Sequence, residues 1–321
     1  LNRAATHLFF RTLGADSLFS ARISTWSPPQ PALPGQVLAD APPPVSNHLY
    51  EVSGRAVRFR AGNLTATGHI DIPAGYEVFF PPGTTLDLRA GARFLSRSPV
   101  YMNGSEEAPI RVTSGDGSAN GFTVLQAGGR SVLNHVQFDH LNTLHTGGWQ
   151  LTGMVTFYES DVRLYGCAFL QAPCEDALNT IRSRIEVDQC RIGHAFSDGF
   201  DSDFCKGEIR NSLFHDTGND GLDFSGSVIN VYDCRFENNG DKAVSVGEES
   251  DLTLFRVSID GAPIGLAAKD LSVLYARDLS LRNCEQGFAA YQKKPEFGPA
   301  RIVIESYTAE NVKRLYNIAE G

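Results

Sequence analysis

Positive charge is scarce: 28 Lys and Arg against 37 Asp and Glu give a formal net charge of −9. Without a basic face to displace counterions from phosphates, nucleic acid is excluded as an expected partner. No apolar run reaches the roughly 18 residues of a membrane-spanning helix, so no transmembrane segment is expected. Neither a G-x-S-x-G element nor a phosphate-cradling P-loop occurs, which removes two common routes to serine-nucleophile and nucleotide chemistry. The 8 histidines, His140, His145, His194 and His215 among them, form no repeat column and no ligand spacing, so no transition-metal site is expected. The chain opens on Leu1 with neither an initial Met nor a signal peptide, which predicts a processed piece of a longer product with an upstream domain.

What is present is a repeat. CEDALNT, FSDGFDSD, GNDGLDFS and GDKAVSVG align on Leu178, Phe200, Leu222 and Val244, and the step of about 22 residues continues through Leu266 and Phe288. Two more apolar ladders keep the same register: Leu164, Val187, Ile209, Val231, Leu254, Ala276, and Phe169, Ile192, Phe214, Phe236, Ile259, Leu281. Three inward ladders per repeat mean three short strands per coil, each pairing in parallel with the next coil about 4.8 Å away. One unit cannot bury its apolar face alone, so such repeats stack into a solenoid. The 6 cysteines fit this register rather than a disulfide framework. Cys167, Cys190 and Cys234 fall at a position that Ser212, Val257 and Leu279 fill in other coils, an inward slot in which a thiol behaves as a small hydrophobe.

Residues 1–49 read as a cap and linker. Ala4, Ala5, Leu8, Phe9 and Leu13 stand near helical spacing, predicting a short amphipathic helix over 1–20 that covers the open end of the solenoid. The Pro-rich stretch from Trp26 to Ser46 predicts an extended linker. Residues 50–321 form the solenoid, with alternating strands and Gly or Pro turns from Tyr50 onward. Late in the chain AAYQKKPEFGPA interrupts the register, and insertions in solenoids map to loops on one face.

These ladders resemble right-handed parallel β-helix proteins of the pectate-lyase-like, bacterial type, from about residue 50 to the end. The resemblance implies an all-β fold. It also draws attention to the outward columns beside the third ladder: Asp176, Asp198, Asp220, Lys242, then Asn179, Asp201, Asp223, with Asp203 one step further out and Lys269 in its column. Like charges stacked about 5 Å apart repel by about 3 kcal/mol per pair at an effective dielectric near 20. A bound cation, protonation or a salt bridge must relieve that repulsion. Asp-Gly turns explain the glycines but not the return of Asp three residues later.

Enzymes resembling this fold act on acidic polysaccharides. The resemblance implies Asp198, Asp201, Asp203, Asp220 and Asp223 as Ca²⁺ ligands and Lys242 as the base of a lyase. Asp220 and Asp223 join it in catalysis, and Asp176, Asn179 and Lys269 line the uronate-containing substrate. Carboxylates raise the pKa of a neighbouring lysine, so that reading depends on the cation. A glycoside hydrolase or epimerase using the same ladder is the alternative, although the Gly-His-Gly and Arg-Ile-Lys elements of polygalacturonases and the Asp-Pro-His-Asp of mannuronan epimerases are absent. A non-catalytic glycan- or Ca²⁺-binding module is the other. An extracytoplasmic location is expected with any of them.

Overall fold

The computed structural model describes residues 7–11, 17–22, 41–146 and 148–318. They are all-β, in a parallel solenoid of about 10 turns. Among the described residues no helix is long and apolar enough to cross a membrane.

The register follows the three ladders. Leu178 pairs with Phe200, Phe200 with Leu222, Leu222 with Val244, Val244 with Leu266 and Leu266 with Phe288. The column is buried throughout. The second ladder stacks aromatic rings from coil to coil, with Phe138 over Phe169 at 5.3 Å and Phe214 over Phe236 at 4.9 Å. Period-two alternation puts these side chains inside, and the parallel ladder translates each one onto its equivalent, so like stacks on like.

Buried serine hydroxyls mark one corner of successive coils, with a thiol taking the place in one of them. Ser183 Oγ accepts the amide of Ser160 at 2.9 Å, Ser227 Oγ that of Cys205 at 2.9 Å, and Ser250 Oγ that of Ser227 at 3.1 Å. The corner needs an acceptor for an amide that the ladders leave free, and Cys205 fills the equivalent place, accepting the Ser183 amide at 3.3 Å. All six cysteines are buried and free, as expected of an inward slot. The preceding corner position takes positive φ, at 54° in Phe204 and 60° in Gly226. A Cβ on Gly226 would lie 2.5 Å from the Phe204 ring, so the glycine here makes room for an exposed aromatic as well as for the turn.

The N-terminal region differs from expectation. His7–Phe10 and Phe19–Arg22 form an antiparallel pair rather than a helix, with Phe10 opposite Phe19 and their rings 5.8 Å apart. Cross-strand aromatic pairing outweighs the weak helical spacing. The first coil's strand Ala56–Phe59 is covered instead by the antiparallel strand Tyr50–Ser53. Ala4, Ala5, Leu13 and most of the Pro-rich linker lie outside the described residues.

Candidate functional site

The columns expected to face outward lie on or just before the strands Asp176–Ile181, Asp198–Asp203, Leu222–Ser225 and Lys242–Gly247, but Asp176, Asn179, Asp198 and Asp220 are buried and, of their aspartates, only Asp201, Asp203 and Asp223 are partly exposed. Asp176 pairs with Asp198, Asn179 with Asp201, and Asp201 with Asp223. One oxygen of Asp198 accepts both the Asp220 amide and Asn219 Nδ2, each at 2.7 Å. Asp220 Oδ1 in turn accepts the Lys242 amide at 3.0 Å. Asp198 and Asp220 therefore each hook the backbone of the next coil, a structural duty that accounts for part of the recurrence, whereas the Asp198 amide goes to the Glu175 carbonyl and not to Asp176.

Two lysines close the patch. Lys242 Nζ lies 3.3 Å from Asp220 Oδ1 and also ion-pairs with Asp241. Lys269 Nζ lies 3.4 Å from Asp223 Oδ1. Beyond them the loop after Tyr291 folds back over the same face. Asp270 accepts the amides of Lys293 and Lys294 at 2.6 and 2.8 Å, and Lys294 ion-pairs with Glu248. The insertion thus joins the carboxylate face.

Burial sets the electrostatics. Asp176, Asp198 and Asp220 are buried, and desolvation pushes all three upward, Asp176 to about 8 and Asp220 to about 7. The Lys242 charge partly holds Asp220 down, while Asp223 and Asp198 push it further up. Asp201 is driven well above the carboxylate range by burial and then by Asp176, and Asp203 is raised by burial and by Asp223. For Lys242 burial favours the neutral amine, but Asp220 and Asp241 outweigh it and the net shift is upward. The ammonium is held protonated.

Several oxygens have no donor. Asp176 Oδ2 and Asn179 Oδ1 are buried without a hydrogen-bond partner, as is Ser245 Oγ. Such acceptors suit a hard cation or an added proton. No three of Asp198, Asp201, Asp203, Asp220 and Asp223 bring ligand atoms within 4.8 Å of one another; among the described residues only His194, His215 and Asp216 do so. Among the predicted site residues, the buried oxygens without a donor are those of Asp176 and Asn179, the two assigned from the sequence to substrate rather than to calcium. His194 and His215, which share no repeat column in the sequence, are brought together across coils.

Residues 177–313 match the family described as the right handed beta helix region. No curated protein matches the chain. Among solved structures, the periplasmic alginate epimerase AlgG aligns with a TM-score of 0.56 and 10% identity over 86% of this chain and 81% of that one. A single-site mutant of it gives 0.57 and 10% over 84% and 79%. The A-module of the Azotobacter vinelandii mannuronan C-5 epimerase AlgE4 gives 0.45 and 10% over 82% and 89%. The fold is a right-handed parallel β-helix.

The β-helix also carries features that no repeat count reveals. Between the coils of Val124 and Phe157 the chain inserts a hairpin, His145–Thr146 against Trp149–Gln150. It walls a cleft of about 460 Å³ lined by Thr152, Glu175, Phe196 and Ser197 among others. Thr152 stands beside Asp176, whose amide bonds the Thr152 carbonyl at 3.3 Å, and the Thr152 side chain partly offsets the upward shift of that carboxyl. Phe196 is 76% exposed at this cleft, two residues before Asp198. The only sequence signal for it is a large aromatic at a turn where polar residues are the rule. Asn219, Asp241, Glu248 and Lys294 are members of the patch that the repeat pattern does not mark, because the contacts of Asn219, Glu248 and Lys294 arise across coils and that of Asp241 with Lys242 depends on the turn.

Proposed function

We propose that this β-helix is a carbohydrate-active enzyme that cleaves a glycosidic bond by carboxylate acid–base chemistry along its aspartate columns. The observation that carries the reading is the pair Asp220 and Asp223. Asp220 is buried and pushed up to about 7, beside an Asp223 held by Lys269. Carboxyl groups whose surroundings differ in this way are suited to divide acid and base roles. Asp220 gives its proton to the glycosidic oxygen as the bond from that oxygen to the anomeric carbon breaks. Asp223 takes a proton from the water whose oxygen bonds that carbon. Lys242 and Asp241 position Asp220 and tune its charge.

The cleft beside Asp176 and the exposed Phe196 supply an apolar platform for a sugar ring. The fold is shared with an alginate epimerase, and a polysaccharide substrate and an extracytoplasmic setting are consistent with that kinship.

A second reading is a Ca²⁺-dependent lyase on a uronate glycan, with Lys242 as base. The unpartnered Asp176 Oδ2 and Asn179 Oδ1 favour it, since they offer hard oxygens to a cation. Calcium, when bound, supplies charge that neutralises a uronate carboxylate. Against it stands the Lys242 ammonium, held protonated by Asp220 and Asp241.

The deciding experiment incubates the protein with neutral and uronate polysaccharides, with and without chelator. New reducing ends with no ultraviolet absorbance, unaffected by chelator and lost in Asp220→Asn and Asp223→Asn, support hydrolysis. Chelator-sensitive formation of unsaturated product supports the lyase. Binding without turnover of any glycan overturns both in favour of a non-catalytic module.

A further inference from the structure

His194 and Asp216 occupy equivalent corner positions in successive coils, both at φ 51°. The strand period does not govern a residue in this conformation, so the two side chains leave the alternating pattern and lean toward each other across the coil step. His215 Nδ1 lies 2.8 Å from Asp216 Oδ2, and His194 Nδ1 lies 3.8 Å from the same oxygen. The imidazoles meet edge to face with centroids 4.9 Å apart. Gly193 seats the His215 ring, since a Cβ there would stand 2.7 Å from Cε1 and Nε2. His215 Nε2 is buried with no partner, so the polar engagement of the ring lies on its Nδ1 side. Asn238 Nδ2 donates to Asp216 Oδ1 at 3.3 Å and orients the carboxylate.

We propose that His194, His215 and Asp216 bind one divalent transition-metal ion. All three ligand atoms lie within 4.8 Å of one another. Around a tetrahedral ion with bonds near 2.1 Å, ligand atoms stand roughly 3.4 Å apart, a spacing that small side-chain rotations reach from here. Two imidazole nitrogens and one carboxylate oxygen select Zn²⁺, Co²⁺ or Ni²⁺ over Ca²⁺ or Mg²⁺, which prefer all-oxygen shells. His194 and Asp216 have side chains 46% and 42% exposed, which leaves an entry path and open positions for water. The ion staples two coils at the turn that continues through Thr217 to Asn219 and Asp220. The site uses none of the carboxylates assigned to glycan chemistry, so it stands or falls apart from that reading.

The test uses untagged, chelator-stripped protein titrated with Co²⁺ by visible absorption and with Zn²⁺ by calorimetry. One equivalent is taken up, and the melting temperature rises with the metal. The half-exposed substitutions His194→Ala and Asp216→Asn keep the β-sheet circular dichroism and weaken binding by more than about 10-fold, while His140→Ala leaves it unchanged. Absence of stoichiometric uptake by the unsubstituted protein overturns the proposal. So does uptake of equal affinity in both His194→Ala and Asp216→Asn, which would leave the trio as a plain His–Asp ion pair.

Discussion

Asp198 accepts the backbone amide of Asp220 at 2.7 Å, one coil further along the same column. The carboxylates on this face therefore have two duties, holding the next coil and presenting a reactive edge, and substitutions separate them. Asp198→Asn keeps one acceptor oxygen for the Asp220 amide, whereas Asp198→Ala leaves that buried donor unpaired and costs about 1–3 kcal/mol. Chemical denaturation of the two variants measures the difference, and equal stability would remove the hook from the account.

Truncating the core column tests the register itself. Leu222 is fully buried between Phe200 and Val244, and Leu222→Ala is expected to lose about 2–5 kcal/mol through the cavity it leaves. A loss below about 1 kcal/mol in denaturant unfolding would be inconsistent with a packed column at that position.

The pH dependence has two limbs. Asp176 and Asp220 stand at about 8 and about 7 when folded, above the unfolded value near 3.9. The folded chain then holds protons that the unfolded chain has shed, so their contribution is complete below about pH 4 and declines as the pH rises toward 7 and 8. Asp139 behaves oppositely. Burial raises it, but bonds from Arg111, Thr113 and His140 outweigh this and hold it at about 2, so its contribution is lost as the pH falls from about 4 toward 2. Melting temperatures of chelated protein are expected to fall on both sides of a mildly acidic maximum, and Asp176→Asn to flatten the alkaline side. A steady rise in melting temperature up to about pH 9 would rule out the raised carboxylates.

Lys242 lies between Asp220 and Asp241. Lys242→Met strips Asp220 of its cation, so the carboxyl is expected to hold its proton to higher pH and the destabilisation to grow as the pH rises above about 7. The double variant Lys242→Met with Asp220→Asn recovers most of this. Thermal melts of the single and double variants check it, and additive losses would mean that the two residues are uncoupled.

The thiols give an independent check on the inward slots. Burial pushes Cys190 well up and Cys234 to about 12, so both are expected to react with thiol reagents only after unfolding. Labelling within minutes in native buffer would contradict the packing described here.

The sequence by itself determined the solenoid. Alternation along a strand and recurrence every 22 residues or so are local signals, and a parallel ladder converts them directly into buried columns such as Leu178 over Phe200. It also carried the Asp columns, whose register the structure keeps. The tertiary structure alone decided how those groups are engaged. Lys242 is protonated because Asp241, its own neighbour in the chain, joins Asp220 around its ammonium, a contact that depends on the turn and not on the strand period. Phe196, the cleft, His194 and Asp216 lie on corners or insertions, and His215 ends the strand just before the corner. At the corners, positive φ turns side chains out of the alternating pattern and insertions break the repeat, so the partners of those side chains are set only when one coil comes to rest on the next.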